Sequence, residues 1–254
     1  MRIVHVATGL ITIPPNGWGA VERLTWEYKQ GLEKLGDVVD IKYMNELEKW
    51  PDTIVHAHLA NQALYCREKG IPYVYSLHDH HTEWYGKDSW VYKQNLEAMK
   101  HSIISFTHAE YLVDYFSETD KLFYLRHGAN TEFFTPDYAP KTHALLMIAN
   151  NGLAGNSGFD RKGFRYGIEA AKEMDLPITM VLPNISTESV MNGIAETIKT
   201  YDHRRNEMFE ARDSYSWDLV ANTLHKYYEN VLKINEGYTS ERTRQLYINA
   251  YDNL

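Results

Sequence analysis

Three stretches of this chain carry groups suited to holding a phosphate or a sugar. The first is the loop Gly9-Leu10-Ile11-Thr12-Ile13-Pro14-Pro15-Asn16-Gly17-Trp18-Gly19. Glycines such as Gly17 and Gly19 let backbone N–H groups approach a ligand, and the start of the helix that follows adds partial positive charge. A plain turn would use the same residues. The loop is not a dinucleotide fingerprint, because Glu22 stands where the third glycine belongs. The second is His78, at the end of an apolar strand, which suits a hydrogen bond to a sugar hydroxyl or a phosphate oxygen, or else a place in the core. The third is Arg161-Lys162 at the start of a helical pattern. There two cations reinforce the helix dipole and favour a diphosphate; a solvated basic turn is the plainer reading.

Other chemistries find less support. His56, His58, His78, His80 and His81 raise the question of a metal. His56-x-His58 on a strand turns both rings to one face, but spacing offers no third ligand for a tetrahedral site, so no metal is expected. A Ser-His-Asp hydrolase is unsupported, because no Gly-x-Ser-x-Gly elbow is present. Glu22, on the first turn of a helix, suits either the orienting of a hydroxyl acceptor or a surface or capping role. Trp84, Tyr85, Trp90 and Tyr92 cluster after His78 and suit sugar stacking or ordinary packing.

The elements that position these groups alternate. Apolar, β-branched runs predict strands over 2–7, 37–43, 53–57, 73–77, 102–107 and 121–125. Helical patterns fall at 20–35, 61–69, 92–101 and 109–117, with Gly36 as a C-terminal cap of the first. Such alternation predicts a parallel sheet covered on both faces, with ligands at the carboxyl ends of its strands. A turn-rich stretch at 127–136 and a linker at 137–143 lead to a second alternation: strand 144–149, loop 150–160, helix 163–173 and strand 178–182. From there the pattern is helical, at 191–201, 204–212, 217–233 and 240–251. The expected organisation is a domain over 1–136, a short one over 141–213, and closing helices over 214–254.

Composition narrows the class. The chain has 254 residues, 44% of them hydrophobic, and a net charge of −8. That charge disfavours tight nonspecific nucleic-acid binding. The single cysteine, Cys66, excludes an intrachain disulfide and fits a reducing, cytoplasmic setting. No apolar run approaches the roughly 18 residues of a membrane span, and no signal-peptide pattern opens the chain. Peripheral contact with a membrane stays open.

Taken together and in order, several segments resemble the family-4 retaining glycosyltransferases of the GT-B fold. Pro14 to Arg23 looks like that family's first loop. Ile54-Val55-His56-Ala57-His58 is similar to its "DVVHAH" strand end, and Val74 to Asp79 to the strand whose final histidine approaches the donor sugar. His127 to Pro136 resembles the "NGVDTEFFxP" segment. Ala149 to Phe164 resembles the loop whose basic residues hold the donor diphosphate, and Ser214 to Asp218 the "YSW" turn before a closing helix.

The resemblance implies two Rossmann-like domains, the second short or incomplete, with C-terminal helices packing back on the first. It implies transfer of a hexose, with retention, from a nucleoside-diphosphate sugar to a carbohydrate or other hydroxyl acceptor. No cofactor or metal is implied beyond that donor. His78 would be the catalytic residue; Arg161, Lys162, Gly17 and Gly19 would hold the diphosphate; Glu22 and Trp84 would lie on the acceptor side. Two departures stand out. Asn150-Asn151-Gly152 replaces a Gly-Arg pair, and the stretch with two glutamates around a "P-S-x-x-E-G-F-G" loop has no counterpart between Leu182 and Glu188. A GT-B-like binding or scaffold protein without catalytic activity is therefore the alternative.

Overall fold

The computed structural model describes residues 1–16, 19–78, 85–129, 164–174 and 212–235. The chain divides into two compact units, Met1–Thr131 with Ser214–Leu254, and Glu132–Asp213. Of the second, one helix is described, Phe164–Glu173, with Ala170 and Ala171 buried. It matches the helix expected over 163–173. The strands expected at 144–149 and 178–182, and the helices expected at 191–201, 204–212 and 240–251, lie outside the described residues.

The first unit is α/β, built on a six-stranded parallel sheet. In chain order its elements are β1 (Arg2–Val6), α1 (Ala20–Lys34), β2 (Val38–Lys42), β3 (Thr53–Ala57), α2 (Ala60–Glu68), β4 (Tyr73–Leu77), α3 (Trp90–His101), β5 (Ser105–Thr107), α4 (Tyr111–Tyr115), β6 (Leu122–Tyr124) and α6 (Trp217–Asn235), α5 being the helix of the second unit. The spatial order of the strands is β2-β1-β3-β4-β5-β6.

Both faces of the sheet are covered, which is why its central strands are apolar at successive positions. Val4, Val6, Val55, Ala57, Tyr73, Tyr75 and Leu77 point to the side of α2 and α3. Ile3, Ile54, Val74, Ile104 and Phe106 point to the other side, where they meet α1 and α6. Helix α1 presents Leu24, Tyr28 and Leu32 at four-residue spacing, the stripe a core-facing helix needs. Helix α6 supplies Val220, Leu224, Tyr227, Tyr228 and Val231. The two helices touch at Gly31, where a Cβ would stand 2.5 Å from that of Ala221, so α1 has no room for a side chain there. The expected closing helix over 217–233 is thus α6, lying on the first unit's own sheet.

Differences from the expected boundaries have local causes. Helix α3 begins two residues early because the Ser89 hydroxyl accepts from the Tyr92 N–H as an N-cap. Strand β5 begins at Ser105 because the Ser102 N–H is bonded to the carbonyls of Ala98 and Met99 at the end of α3. Gly36 follows α1 with φ +89, the left-handed backbone expected of a residue just past a helix end.

Candidate functional site

In an open parallel sheet the chain leaves in opposite directions from β1 and β3, and the loops at their carboxyl ends part to form a crevice. One side of this crevice is the loop from Thr8 to Gly19. Its shape is held from below. The Thr8 hydroxyl donates to Glu22 Oε1, and Arg23 donates to the Pro15 carbonyl at 3.4 Å. Gly19 has φ +131, and a Cβ there would lie 3.0 Å from Glu22 Oε2. Glycine is required at that turn on both counts. Glu22 is 4% exposed. It therefore braces the loop from within, and the surface role open to it in the sequence does not apply.

The other side is the β3–α2 turn. Gln62 locks it to β1: its side-chain carbonyl accepts from the backbone N–H of His58 and of Leu59, at 2.9 and 3.1 Å, and its amide donates to the Ala7 carbonyl at 2.7 Å. One side chain thus fixes the spacing of the two strand ends.

Along the carboxyl edge runs a row of histidines. His5 sits on β1 in register with His56 on β3. His58 lies one residue past β3, His78 one past β4, His108 one past β5 and His127 three past β6. His58, His78 and His108 are each two residues beyond a strand residue on the α1/α6 side, and the two-residue period of a strand puts the rings on that same side. Successive rings stack: His5 to His58 at 5.2 Å between centroids, His58 to His78 at 5.2 Å, His78 to His108 at 5.2 Å and His108 to His127 at 4.0 Å. The row passes from fully buried at His5 and His56 to exposed at His127.

Hydrogen bonds tie its inner part together. His5 Nδ1 is 2.9 Å from His58 Nε2, and His58 Nδ1 is 2.9 Å from His78 Nε2. His56 Nδ1 meets the Tyr228 hydroxyl at 2.5 Å and its Nε2 meets the Ser76 hydroxyl at 2.8 Å. His108 Nδ1 donates to the Leu125 carbonyl at 2.7 Å. Burial, with a smaller push from the Lys29 ammonium, lowers His5 to about 3. Burial, and then the neighbouring histidines, hold His56 and His58 well below the ordinary value of 6.5. Burial likewise raises the Tyr28 and Tyr228 phenols above their ordinary range. The deep end of the row is neutral as both acid and base.

Ligand nitrogens of His5, His56 and His58 lie within 4.8 Å of one another. His5 is the third histidine that spacing along the sequence does not reveal. All of these nitrogens but His5 Nε2, which is buried without a hydrogen-bond partner, are paired with another histidine or a hydroxyl, and among the described residues no carboxylate or thiolate joins them. A metal ion there would have to displace the His5–His58, His56–Tyr228 and His56–Ser76 hydrogen bonds.

Of the site residues read from sequence, the structure places Gly19, Glu22 and His78 at this edge. Gly17, Trp84, Arg161 and Lys162 lie outside the described residues, as do His80 and His81. Sequence reasoning missed His5, His108 and His127. Their signal is a histidine in or within three residues of the end of almost every strand on the same side of the sheet. A separate cavity of about 270 Å³ lies beside β6 and α6, bordered by Arg126 and Tyr227. Among the described residues, no helix is long and apolar enough to cross a membrane.

No family model matches this chain, and no curated protein sequence matches it either.

Proposed function

We propose that the protein binds a nucleoside-diphosphate sugar and transfers its hexose, with retention, to a hydroxyl acceptor. The observation that carries this reading is the reversal of chain direction between the adjacent strands β1 and β3, with a braced glycine turn after β1 and the histidine row along the same edge. Imidazole groups and the backbone N–H groups of a glycine turn suit the uncharged hydroxyls and the phosphoryl oxygens of such a donor.

In the reaction the bond from the sugar's anomeric carbon to the diphosphate oxygen breaks, and the electron pair leaves with the diphosphate. The acceptor oxygen forms a new bond to that carbon, and its proton passes to the departing phosphate. His78 hydrogen-bonds the donor. Gly17 and Gly19 offer backbone N–H groups, and Arg161 and Lys162 supply the cations that stabilise the leaving charge. Trp84 stays on the acceptor side. Glu22 is given the supporting role its bond to Thr8 assigns.

Titration calorimetry with UDP- and GDP-sugars tests the reading. Lys162→Ala is expected to weaken nucleotide-sugar binding about tenfold or more, the size of one charge-assisted contact. Unchanged affinity refutes the role of Lys162, and no affinity in the unaltered protein refutes the function. A binding module without turnover is the second reading, favoured by the missing two-glutamate stretch between Leu182 and Glu188. It predicts no release of nucleoside diphosphate above background from UDP- or GDP-sugars in the presence of any acceptor.

A further inference from the structure

Strand β2 is an edge of the sheet: β1 lies on one side of it, and among the described residues no strand pairs with the other side. An open edge presents a row of backbone groups on which a second chain can build. The register with β1 fixes which groups those are. The Val38 N–H donates to the Met1 carbonyl and the Ala7 N–H to the Lys42 carbonyl, at 2.8 Å each. In a parallel strand the N–H and C=O of one residue face the same neighbour, and successive residues alternate. Val38, Asp40 and Lys42 therefore face β1, while Val39, Ile41 and Tyr43 face outward.

Charged side chains occupy both ends of that outward row. Lys29, on α1, donates to the Val39 carbonyl at 2.6 Å and is held there by the Glu33 carboxylate, one turn further along its helix. Past the other end of β2 the chain turns over Met44–Glu46. There Glu46 Oε2 accepts from the Tyr43 N–H at 2.7 Å, and the Glu46 N–H donates to the Tyr43 carbonyl at 2.9 Å. The side chains beside this edge are adhesive. Val38 is 60% exposed and Tyr43 51%, and both are strand-forming types.

We propose that Lys29 and Glu46 cap the outward side of β2 and so keep a second copy of this chain from pairing with it. The sequence of the strand identifies that partner. Two β2 strands related by a two-fold axis run antiparallel about Ile41, each Ile41 opposite the other. Asp40 of each copy then stands opposite Lys42 of its partner, a favourable cross-strand pair. The next bonds in such a ladder join the Tyr43 N–H of one copy to the Val39 carbonyl of the other, and the Val39 N–H to the Tyr43 carbonyl. Both groups of Tyr43 and the Val39 carbonyl are the ones that Glu46 and Lys29 already occupy within one chain. With the caps in place only the pairing at Ile41 remains, too short a ladder to hold two copies together.

Light scattering on the full chain at neutral pH, over a range of concentrations, is the test. The unaltered protein is expected at the mass of one chain. Lys29→Met keeps the side-chain stem and removes the donor, and Glu46→Ala removes the acceptor. The double variant is expected to double in mass as its concentration rises. Adding Ile41→Pro deletes the central outward N–H, a change an edge strand tolerates, and is expected to return the double variant to the mass of one chain. A folded double variant that stays at one chain overturns the proposal, and so does a doubled mass that survives Ile41→Pro. An unaltered protein that pairs in about 1 M salt, where the screening length falls to about 3 Å, also overturns it, because repulsion between copies and not capping is then the guard. If the double variant does not fold, hydrogen exchange in the unaltered protein decides. The capped Tyr43 amide is expected to exchange about tenfold more slowly than the Ile41 amide, the size of one hydrogen bond, and equal rates overturn the capping.

Discussion

Lowering the pH from 7 to 5 is expected to cost this protein a large part of its stability, through its buried histidines. In the unfolded chain each titrates at an ordinary value of 6.5; in the fold His5 is lowered to about 3, and His56 and His58 lie well below 6.5, chiefly through burial. For His5, between 3 and 6.5 the unfolded state binds more protons than the folded one. Stability therefore rises with pH across that window and falls as acid is added. Above the window neither state is charged and the effect disappears. For His5 the cost between pH 7 and pH 5 is about 2 kcal/mol, and His56 and His58 add losses of the same sign. Whole domains are stable by about 5–15 kcal/mol, so even the His5 contribution is a sizeable share of the total. Carboxylates titrate lower: Glu118, which accepts from the Tyr92 hydroxyl, is held below 4.5. The assay is urea unfolding followed by circular dichroism at half-unit steps of pH. His5→Phe removes one proton site and is expected to reduce the difference between pH 7 and 5 by about 2 kcal/mol. A flat stability across the window, or an unchanged slope in His5→Phe, would refute the reasoning.

Two further substitutions probe the frame around the row. In Gly128→Ala the new Cβ would stand 2.3 Å from the Trp217 ring. That overpacking should cost about 1–3 kcal/mol in the same unfolding assay. In Gln62→Leu the N–H groups of His58 and Leu59 and the Ala7 carbonyl lose their partner. Unsatisfied buried groups should cost about 2–4 kcal/mol, and an effect under about 1 kcal/mol would show that Gln62 does not hold the crevice.

The parts of this fold that could be read along the chain are those set by near neighbours. β1, β3 and β4 are short apolar runs between turn residues, and α1 carries its stripe at Leu24, Tyr28 and Leu32. His56 and His58 could be paired because they are two residues apart on one strand. His5, by contrast, meets His58 only because β1 lies beside β3, and strand order is not a local property. His108 and His127 join the row for the same reason, through β5 and β6. Glu22 misleads for another cause. A carboxylate on a first helical turn reads as exposed, but the Gly19 turn folds the loop over it and the Thr8 hydroxyl donates a hydrogen bond to it.

The contact between His56 and Tyr228 joins residues 172 positions apart. Ribosomes add about 5–20 residues per second, so His56 emerges roughly ten to thirty seconds before the hydroxyl that will cover it. During that interval the α1 side of the nascent sheet has no second helix over it, and its imidazoles are open to water and to protons. The finished neutrality of the row is thus a late event in the life of each molecule, completed by the arrival of α6. A chain ending before Trp217 would leave open to solvent the apolar wall that also carries the buried, acid-sensitive histidines.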